Sequence, residues 1–229
     1  MTINTPIEQE AFHQLQKLFN HYSNPAKADK MSDYMKNQFS FFGIQADQRR
    51  GIQKQIKPIV KNFRKEEMWR FINLCWNAEE REWQYAALDV LEGCRKGMNA
   101  GDLDRVEFCI VNKSWWDTVD FLASHVVGNI FKHGPEAIKP YTERWMNSGN
   151  IWLQRSCVLF QLSYGQSTDL ELLAQCILQT KNSKEFFIQK ANGWSLRQLS
   201  KHNPGWVALF LQQNPDLPTV TMREASKYL

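Results

Sequence analysis

The sequence predicts an all-α protein, and three observations lead to that prediction. The eight prolines leave two long stretches, residues 59–134 and 141–203, free of proline. Within these stretches apolar residues recur three and four positions apart, as at Phe71, Leu74 and Cys75, which is the spacing of one face of an α-helix. No sustained alternation of polar and apolar residues rich in Val, Ile and Thr occurs, so β-strands are not predicted.

A repeat runs through the predicted helices. Four short segments begin at Trp83, Trp116, Leu153 and Ile188, and a weaker fifth begins at Met222. Their starts are 33, 37, 35 and 34 residues apart, and such a period fits an antiparallel helix pair with two turns. Stacked helix pairs form an α-solenoid, whose long surface typically binds a partner. Chance spacing in an all-α protein is the alternative, because the segments share few residues.

Local signals indicate where some of these helices begin. Residues 114–117 (SWWD) and 221–224 (TMRE) match the capping box, in which a hydroxyl residue and an acid three residues later satisfy backbone N–H groups. Asn150 and Ser183 are predicted as N-cap residues of two further helices.

Composition limits the class of protein. The chain has 229 residues, 43% of them apolar and 23% charged, which is typical of a globular protein; we expect one domain over residues 1–229. The net charge of +4 permits a nucleic-acid partner without requiring one. No apolar run is long enough for a membrane helix, and no signal peptide is recognised. We therefore expect a cytoplasmic protein with no membrane partner.

The cysteines and histidines, five of each, lack the spacing of a metal site. No C-x-x-C and no H-x-x-x-H occurs, which predicts reduced thiols, no metal and no cofactor. Gly-rich phosphate loops and G-x-S-x-G motifs are also absent.

A basic block lies between residues 48 and 65, where seven lysines and arginines occur without an acid. Steps of three and four residues would place most of them on one helix face if Pro58 lets the helix continue. Such a stripe suits a phosphate backbone, because each neutralised phosphate releases a condensed counterion. A solvated outer face is the alternative. The seven residues are Arg49, Arg50, Lys54, Lys57, Lys61, Arg64 and Lys65.

Trp116 and Asp120 form the second candidate feature, on a helix predicted over residues 114–131. They are one turn apart and share a face. An indole beside a carboxylate suits a cationic, partly apolar group, because the ring face attracts cations and the carboxylate supplies the opposite charge. The alternative is a surface aspartate with Trp116 in the core.

Two further features involve cationic side chains, namely Arg155 itself and the two cations on either side of Trp194. Arg155 has apolar helical neighbours, so it either pairs with an acid, for example from the adjacent repeat, or binds a phosphate. Trp194 has Lys190 four residues before it and Arg197 three residues after it. This pattern indicates a ring that faces a ligand between two phosphate contacts, or an indole that lies flat on the surface under the two side-chain stems.

Nine tryptophans are many for a chain of this length, and the patterns divide them. We expect Trp116 and Trp194 to face the partner. The others are predicted to pack between helices; they are Trp69, Trp76, Trp83, Trp145 and Trp206, joined by Trp115 and Trp152.

Six sequence blocks together resemble the bacterial HEAT-like-repeat DNA alkylation repair enzymes, the AlkD-type alkylpurine DNA glycosylases. The blocks are residues 34–37 (YMKN), 42–45 (FGIQ), 81–89 (REWQYAALD), 113–117 (KSWWD), 150–155 (NIWLQR) and 183–191 (SKEFFIQKA). The similarity extends from about Phe19 to Leu229. It implies a right-handed, C-shaped α-solenoid of HEAT-like repeats that holds duplex DNA against a basic concave face.

The resemblance also implies roles for individual residues. Trp116, Asp120 and Trp194 match the positions that contact the damaged nucleotide, and we take them as the catalytic residues. Ser163 stands where the family pattern has a lysine that meets the DNA backbone. The expected DNA-binding residues are Tyr34, Gln45, Arg155, Lys190 and Arg197, together with Arg49, Arg50 and Lys54 from the basic block.

The predicted function is that of a DNA glycosylase, a hydrolase of N-glycosyl compounds. It would release cationic 3-alkyladenine and 7-alkylguanine from duplex DNA in base excision repair, as a monomer at the nucleoid of a bacterium, without flipping the base into a pocket. One alternative is a non-catalytic solenoid that recognises distorted or branched DNA. Another is a protein-binding adaptor, which would explain the repeat but not the cationic surroundings of Trp194.

Overall fold

The computed structural model describes residues 5–229, and every regular element among them is helical. These residues form two compact units, one ending at Cys94 and the other spanning Arg95–Leu229. The prediction of an all-α protein is confirmed for the described part of the chain. All five cysteines are unbridged thiols.

The first unit is built around α1, α5 and α6, which pack on one another. The buried residues of α5 recur at helical spacing, from Met68 to Trp76. Trp83 of α6 stacks on Phe12 of α1, with ring centres 4.3 Å apart. The helices of this unit are α1 (Ile7–His21), α2 (Pro25–Tyr34), α3 (Ala46–Gln53), α4 (Lys57–Val60), α5 (Lys65–Asn77) and α6 (Arg81–Cys94).

A buried carboxylate fixes the loop between α2 and α3. Glu82, which is fully buried, accepts hydrogen bonds from the backbone N–H groups of Phe42 at 3.0 Å and of Gly43 and Ile44 at 2.9 Å each. Gly43 has φ of +85°, and a Cβ there would lie 2.1 Å from the carbonyl oxygen of Asn24. This loop therefore requires both a glycine and an acid. It fixes the connection between the end of α2 and the start of α3.

The basic block does not form one helix. α3 ends at Gln53, and α4 begins at Lys57 with Pro58 in its first turn, because proline is tolerated at a helix start but not in its interior. The expected continuous stripe is therefore interrupted, although Arg50 and Lys54 of the block are exposed.

The second unit stacks helix pairs. The repeat segments that begin at Trp116, Leu153, Ile188 and Met222 lie in α8, α11, α13 and α15, and each of these helices packs against the next. This arrangement is consistent with an α-solenoid. The helices are α7 (Leu103–Val111), α8 (Trp116–Phe121), α9 (Gly128–His133), α10 (Ile138–Met146), α11 (Ile151–Leu159), α12 (Leu170–Thr180), α13 (Phe186–Ser200), α14 (Pro204–Gln213) and α15 (Thr219–Ala225).

The helix that carries Asp120 contains a π-helical segment. α8 and α9 are joined without a break through Leu122–Val127, which has π-helical geometry, so the predicted helix over residues 114–131 is observed over residues 116–133. Gly128 lies so close to the next repeat that a Cβ there would be 2.3 Å from the carbonyl oxygen of Phe160. Such π turns occur frequently at functional sites, and this one begins two residues after Asp120.

One of the four predicted helix starts is confirmed. The Asn150 side chain accepts from the N–H groups of Trp152 and Leu153 at 2.9 and 3.3 Å. The prediction for Ser183 is wrong, because Glu185 is the N-cap residue of α13.

Both predicted capping boxes are wrong for a shared reason. The hydroxyl of Ser114 donates to the carbonyl of Ile110 at 2.6 Å, and that of Thr221 donates to the carbonyl of Gln189 at 3.0 Å. Each hydroxyl thus donates to a carbonyl of a different helix and does not accept from the N–H groups at the start of the helix that it was predicted to cap.

The tryptophans follow their predicted division in part. Trp69, Trp76, Trp83 and Trp145 are buried, as predicted. Trp206 is half-buried and packs against the core of the second unit, while Trp115 and Trp152 are half-buried in a ring cluster with Phe187. Among residues 5–229, no helix combines the length and the apolar character needed to cross a membrane.

The Glu82 carboxylate yields a stability prediction. Glu82→Gln places an amide NH₂ against backbone N–H groups, so buried donors lose their acceptor, and we expect unfolding to require about 2 kcal/mol less free energy. Urea titration followed by circular dichroism measures this change. Glu79→Gln, at an exposed position of the same unit, should stay within about 0.5 kcal/mol of the wild type. Equal stability of the two variants would contradict the assigned role of Glu82.

Candidate active site

An open cleft in the second unit brings together most of the predicted site residues. Its volume is about 410 Å³, and α8, α11, α13 and α15 supply its walls. The lining residues are Trp116, Asp120, Arg155, Phe186, Phe187, Lys190, Trp194, Arg197 and Glu224.

Asp120 is held in place by Arg155. The guanidinium Nε donates to Oδ1 of Asp120 at 2.6 Å, and Nη2 donates to Oδ2 at 2.8 Å. Nη1 of Arg155 donates to the backbone carbonyl of Phe187. This two-pronged contact fixes the orientation of the carboxylate as well as its position, and it ties α8, α11 and α13 together through one side chain.

This pair answers a question that the sequence left open. Arg155 is 4% exposed, and its partner is an acid of the preceding repeat, as one of the two interpretations of the sequence had it. Three of its nitrogen atoms already donate to protein oxygens. Direct contact between Arg155 and a DNA phosphate stays a prediction.

The protonation of Asp120 reflects two opposing effects. Burial raises the pKa of its carboxyl above the ordinary value of 3.8, and the hydrogen bonds and charge of Arg155 lower it. The shift is upward, because burial is the larger of the two effects. A carboxylate of raised pKa with a cationic neighbour, lying in a cleft, is typical of a functional group.

Two indoles share the cleft with this carboxylate. Trp116 is the first residue of α8, and Trp194 lies in the middle of α13. Both are half-buried rather than enclosed in the core. The structure therefore places this carboxylate and two half-buried indoles in one cleft.

Asp120 and Trp194 also face a second depression of about 410 Å³. In this depression the imidazole of His125 stacks on Phe121, with ring centres 4.6 Å apart and planes within 7° of parallel. Ser163, which stands where a lysine was expected, is exposed there.

The cations around Trp194 converge on an acid that the sequence did not single out as a site residue. Glu224 was predicted to close a capping box, but its carboxylate accepts from Lys190 at 2.7 Å and contacts Arg197 at 3.2 Å. Glu224 is buried on α15 together with Thr221 and Ala225, and the sequence carries no local signal of its ion pairs with α13. Phe187 also lines the cleft, and the sequence analysis did not single it out.

The remaining DNA-binding candidates lie in the first unit. Tyr34 is 69% exposed, and Gln45, Arg50 and Lys54 are exposed as well. Arg49 differs from them, because it is 6% exposed and donates to Asp89 at 2.9 Å. Among residues 5–229, no group of three or more acids, histidines and cysteines could hold a metal ion.

Comparison with known proteins identifies the family. The family model described as "DNA alkylation repair enzyme" matches residues 15–229. A solved structure of a predicted DNA alkylation repair enzyme from Enterococcus faecalis is 34% identical, with a TM-score of 0.84 over 90% of this chain and 96% of that one. None of the curated proteins matches the chain. The chain belongs to the DNA alkylation repair enzyme family.

Proposed function

We propose that this protein is an AlkD-type DNA glycosylase, which hydrolyses the N-glycosidic bond of cationic alkylated purines in duplex DNA. The observation that carries the proposal is the carboxylate of Asp120, held by Arg155 in an open cleft that the indoles of Trp116 and Trp194 also line. Membership of the DNA alkylation repair enzyme family supports it.

The chemistry of the substrate explains why one oriented carboxylate suffices. Alkylation at N3 of adenine or N7 of guanine makes the base cationic, so the base departs as a neutral molecule and needs no general acid. The bond electrons leave with the base, and the sugar develops oxocarbenium character. Water then adds its hydroxide to C1′ and releases a proton. The products are a free base and an abasic site.

Asp120 would stabilise the positive charge on the sugar and orient the attacking water. Arg155 occupies one lone-pair direction on each carboxylate oxygen, and each oxygen has a second direction for another donor. A carboxylate fixed before the reaction loses little free energy to reorganisation when charge develops. Arg155 thus serves Asp120 as a positioning residue.

The indoles would contact the deoxyribose. Their electron-rich faces attract a developing cation and the polarised hydrogens of the sugar. The cleft is open, which favours a mechanism that grips sugar and backbone without enclosing the base. Bulky base adducts would then be tolerated, and selection would rest on the positive charge of the lesion.

Duplex binding would use the cations of the cleft and the exposed residues of the first unit. Lys190 and Arg197 are the proposed phosphate ligands of the cleft, and Arg50 and Lys54 are those of the first unit. Arg155 is a weaker candidate, because it is 4% exposed and donates to Asp120 and to the carbonyl of Phe187. The remaining candidates are Tyr34, Gln45 and Arg49; Arg49 is the weakest of them because its guanidinium is buried against Asp89. The right-handed curvature, the basic concave face, the monomeric state and action at the bacterial nucleoid remain predictions.

One observation favours the non-catalytic alternative. Both oxygens of Asp120 are engaged by Arg155, as they would be in a purely structural ion pair. A protein of that kind would bind distorted duplex DNA and release no base.

Asp120→Asn provides the direct test. Single-turnover release of 7-methylguanine from methylated duplex DNA should slow by about 100-fold or more, because the charge that stabilises the transition state is lost. Hypoxanthine, a neutral base, should not be released by the wild type. A radiolabelled duplex and chromatography of the released bases measure both reactions.

A matched control is available for this variant. Asp104 also accepts from an arginine, Arg144, at 3.0 Å, but it is exposed on α7. Asp104→Asn should leave the release rate unchanged. If Asp120→Asn also left the release rate unchanged, Asp120 would have no part in the reaction. If the wild type bound DNA but released no base, the non-catalytic alternative would hold.

The raised pKa of Asp120 predicts the pH dependence of the enzyme. The reaction needs the ionised carboxylate, so the release rate should fall as the pH drops through a pKa that lies above 3.8. The slow release from free methylated DNA, measured in parallel at each pH, is subtracted. If the release rate stayed level down to pH 3.8, the group whose ionisation controls the rate would not have a raised pKa, which would contradict this assignment to Asp120.

A further inference from the structure

Glu224 lines the cleft and lies among three cations. Its side chain is 5% exposed, and its carboxylate accepts from Lys190 at 2.7 Å and from Lys227 at 2.8 Å, with Nη1 of Arg197 3.2 Å away. The three cations are 34%, 45% and 26% exposed, in that order. A buried anion therefore holds three cations that remain accessible to a ligand.

The carboxylate brings together charges that would otherwise repel. Lys190 and Arg197 lie seven residues apart on α13, which is about 10 Å along the helix axis, on either side of Trp194. Both side chains nevertheless reach Glu224 of α15. Glu224 thus determines where the two charged groups lie in relation to the indole.

The packing of α15 on α13 makes room for this acid. Gly193 precedes Trp194, and a Cβ at that position would lie 2.5 Å from Cβ of Glu224 and 2.8 Å from the carbonyl oxygen of Thr221. Glycine is unfavourable inside a helix. Its presence here is explained by the close approach of the helix that carries Glu224.

The charge balance of the cluster favours an anionic ligand. One carboxylate against three cations leaves two positive charges uncompensated. Hydrogen bonds from Lys190 and Lys227 lower the pKa of Glu224 to about 2, so the carboxylate is ionised at neutral pH. A phosphodiester in contact with Lys190, Arg197 and Lys227 would find these groups already ordered, which reduces the entropy lost on binding.

We infer that Glu224 is a positioning residue that arranges Lys190, Arg197 and Lys227 as one clamp for the DNA backbone beside Trp194, with Lys227 as a further phosphate ligand. This inference rests on the proposed function for its ligand. It adds to that function a third phosphate ligand and the acid that orders all three.

The sign of the effect of Glu224→Gln tests the inference. Removal of a negative charge would by simple electrostatics tighten DNA binding, since the net charge rises by one. If Glu224 orders the clamp, binding should instead weaken several-fold, and the dependence of log Kd on log salt concentration should become shallower. Fluorescence anisotropy with an undamaged labelled duplex at a series of salt concentrations measures both. Tighter binding with a steeper salt dependence would overturn the positioning role.

Lys227→Gln tests the third ligand separately and does not depend on how well the Glu224 variant folds. Loss of one phosphate contact should reduce the salt slope by about 1. Lys139 is the matched control, because it also pairs with a glutamate, Glu143, at 3.9 Å but is 84% exposed on α10. Lys139→Gln should leave the slope unchanged. An unchanged slope in Lys227→Gln would remove Lys227 from the interface.

Base release by the wild type separates failure of the clamp from failure of the proposed function. If the wild type releases 7-methylguanine and both variants bind DNA as it does, the clamp is wrong and the glycosylase stands. If the wild type releases no base but both variants weaken binding as expected, the clamp stands and the glycosylase is wrong. If the wild type shows no salt-dependent binding of duplex DNA, both are wrong.

Discussion

The ion pair between Asp120 and Arg155 is the interaction on which the candidate site depends. It joins α8 to α11, and through the carbonyl of Phe187 the same guanidinium reaches α13. A buried charge that loses its partner destabilises a protein strongly, whereas an intact buried pair adds little net stability. The pair is therefore better explained by the orientation it gives to one carboxylate than by the stability it adds to the fold.

Stacking of similar helix pairs explains how distant residues meet in one cleft. Arg155, Lys190 and Glu224 each stand third in a repeat segment, in the segments that begin at Leu153, Ile188 and Met222. Equivalent positions of successive repeats lie side by side when the pairs stack. The site is thus a row of charges across neighbouring repeats, with Asp120 paired to the first of them.

The sequence predicts the parts of this structure that follow from local pattern. The helical class follows from the apolar spacing and is confirmed for the described residues, and the packing of α8, α11, α13 and α15 is consistent with the repeat. The one-turn spacing of Trp116 and Asp120 agrees with their place in one cleft. Asn150 was likewise predicted as an N-cap residue from local pattern. Trp194 and its flanking cations share one stripe of α13, and their spacing of four and three residues predicts this stripe directly.

Contacts between repeats lay beyond prediction from spacing alone. Nothing local shows that Arg49 is buried by Asp89, forty residues later, or that Glu224 serves the cations of α13. The hydroxyls of Ser114 and Thr221 matched a capping pattern, yet carbonyls of α7 and α13 bind them instead. In each case the partner is set by how two helices pack, and that packing is the property a single helical pattern does not specify.

The coupling between Asp120 and Arg155 is tested most directly by a double-mutant cycle on single-turnover release of 7-methylguanine. Arg155→Gln should slow the reaction because Asp120 loses its fixed orientation. Combined with Asp120→Asn it should add little further loss, since the two residues act as one unit. Losses that multiply, as for independent residues, would contradict the view that Arg155 acts through Asp120.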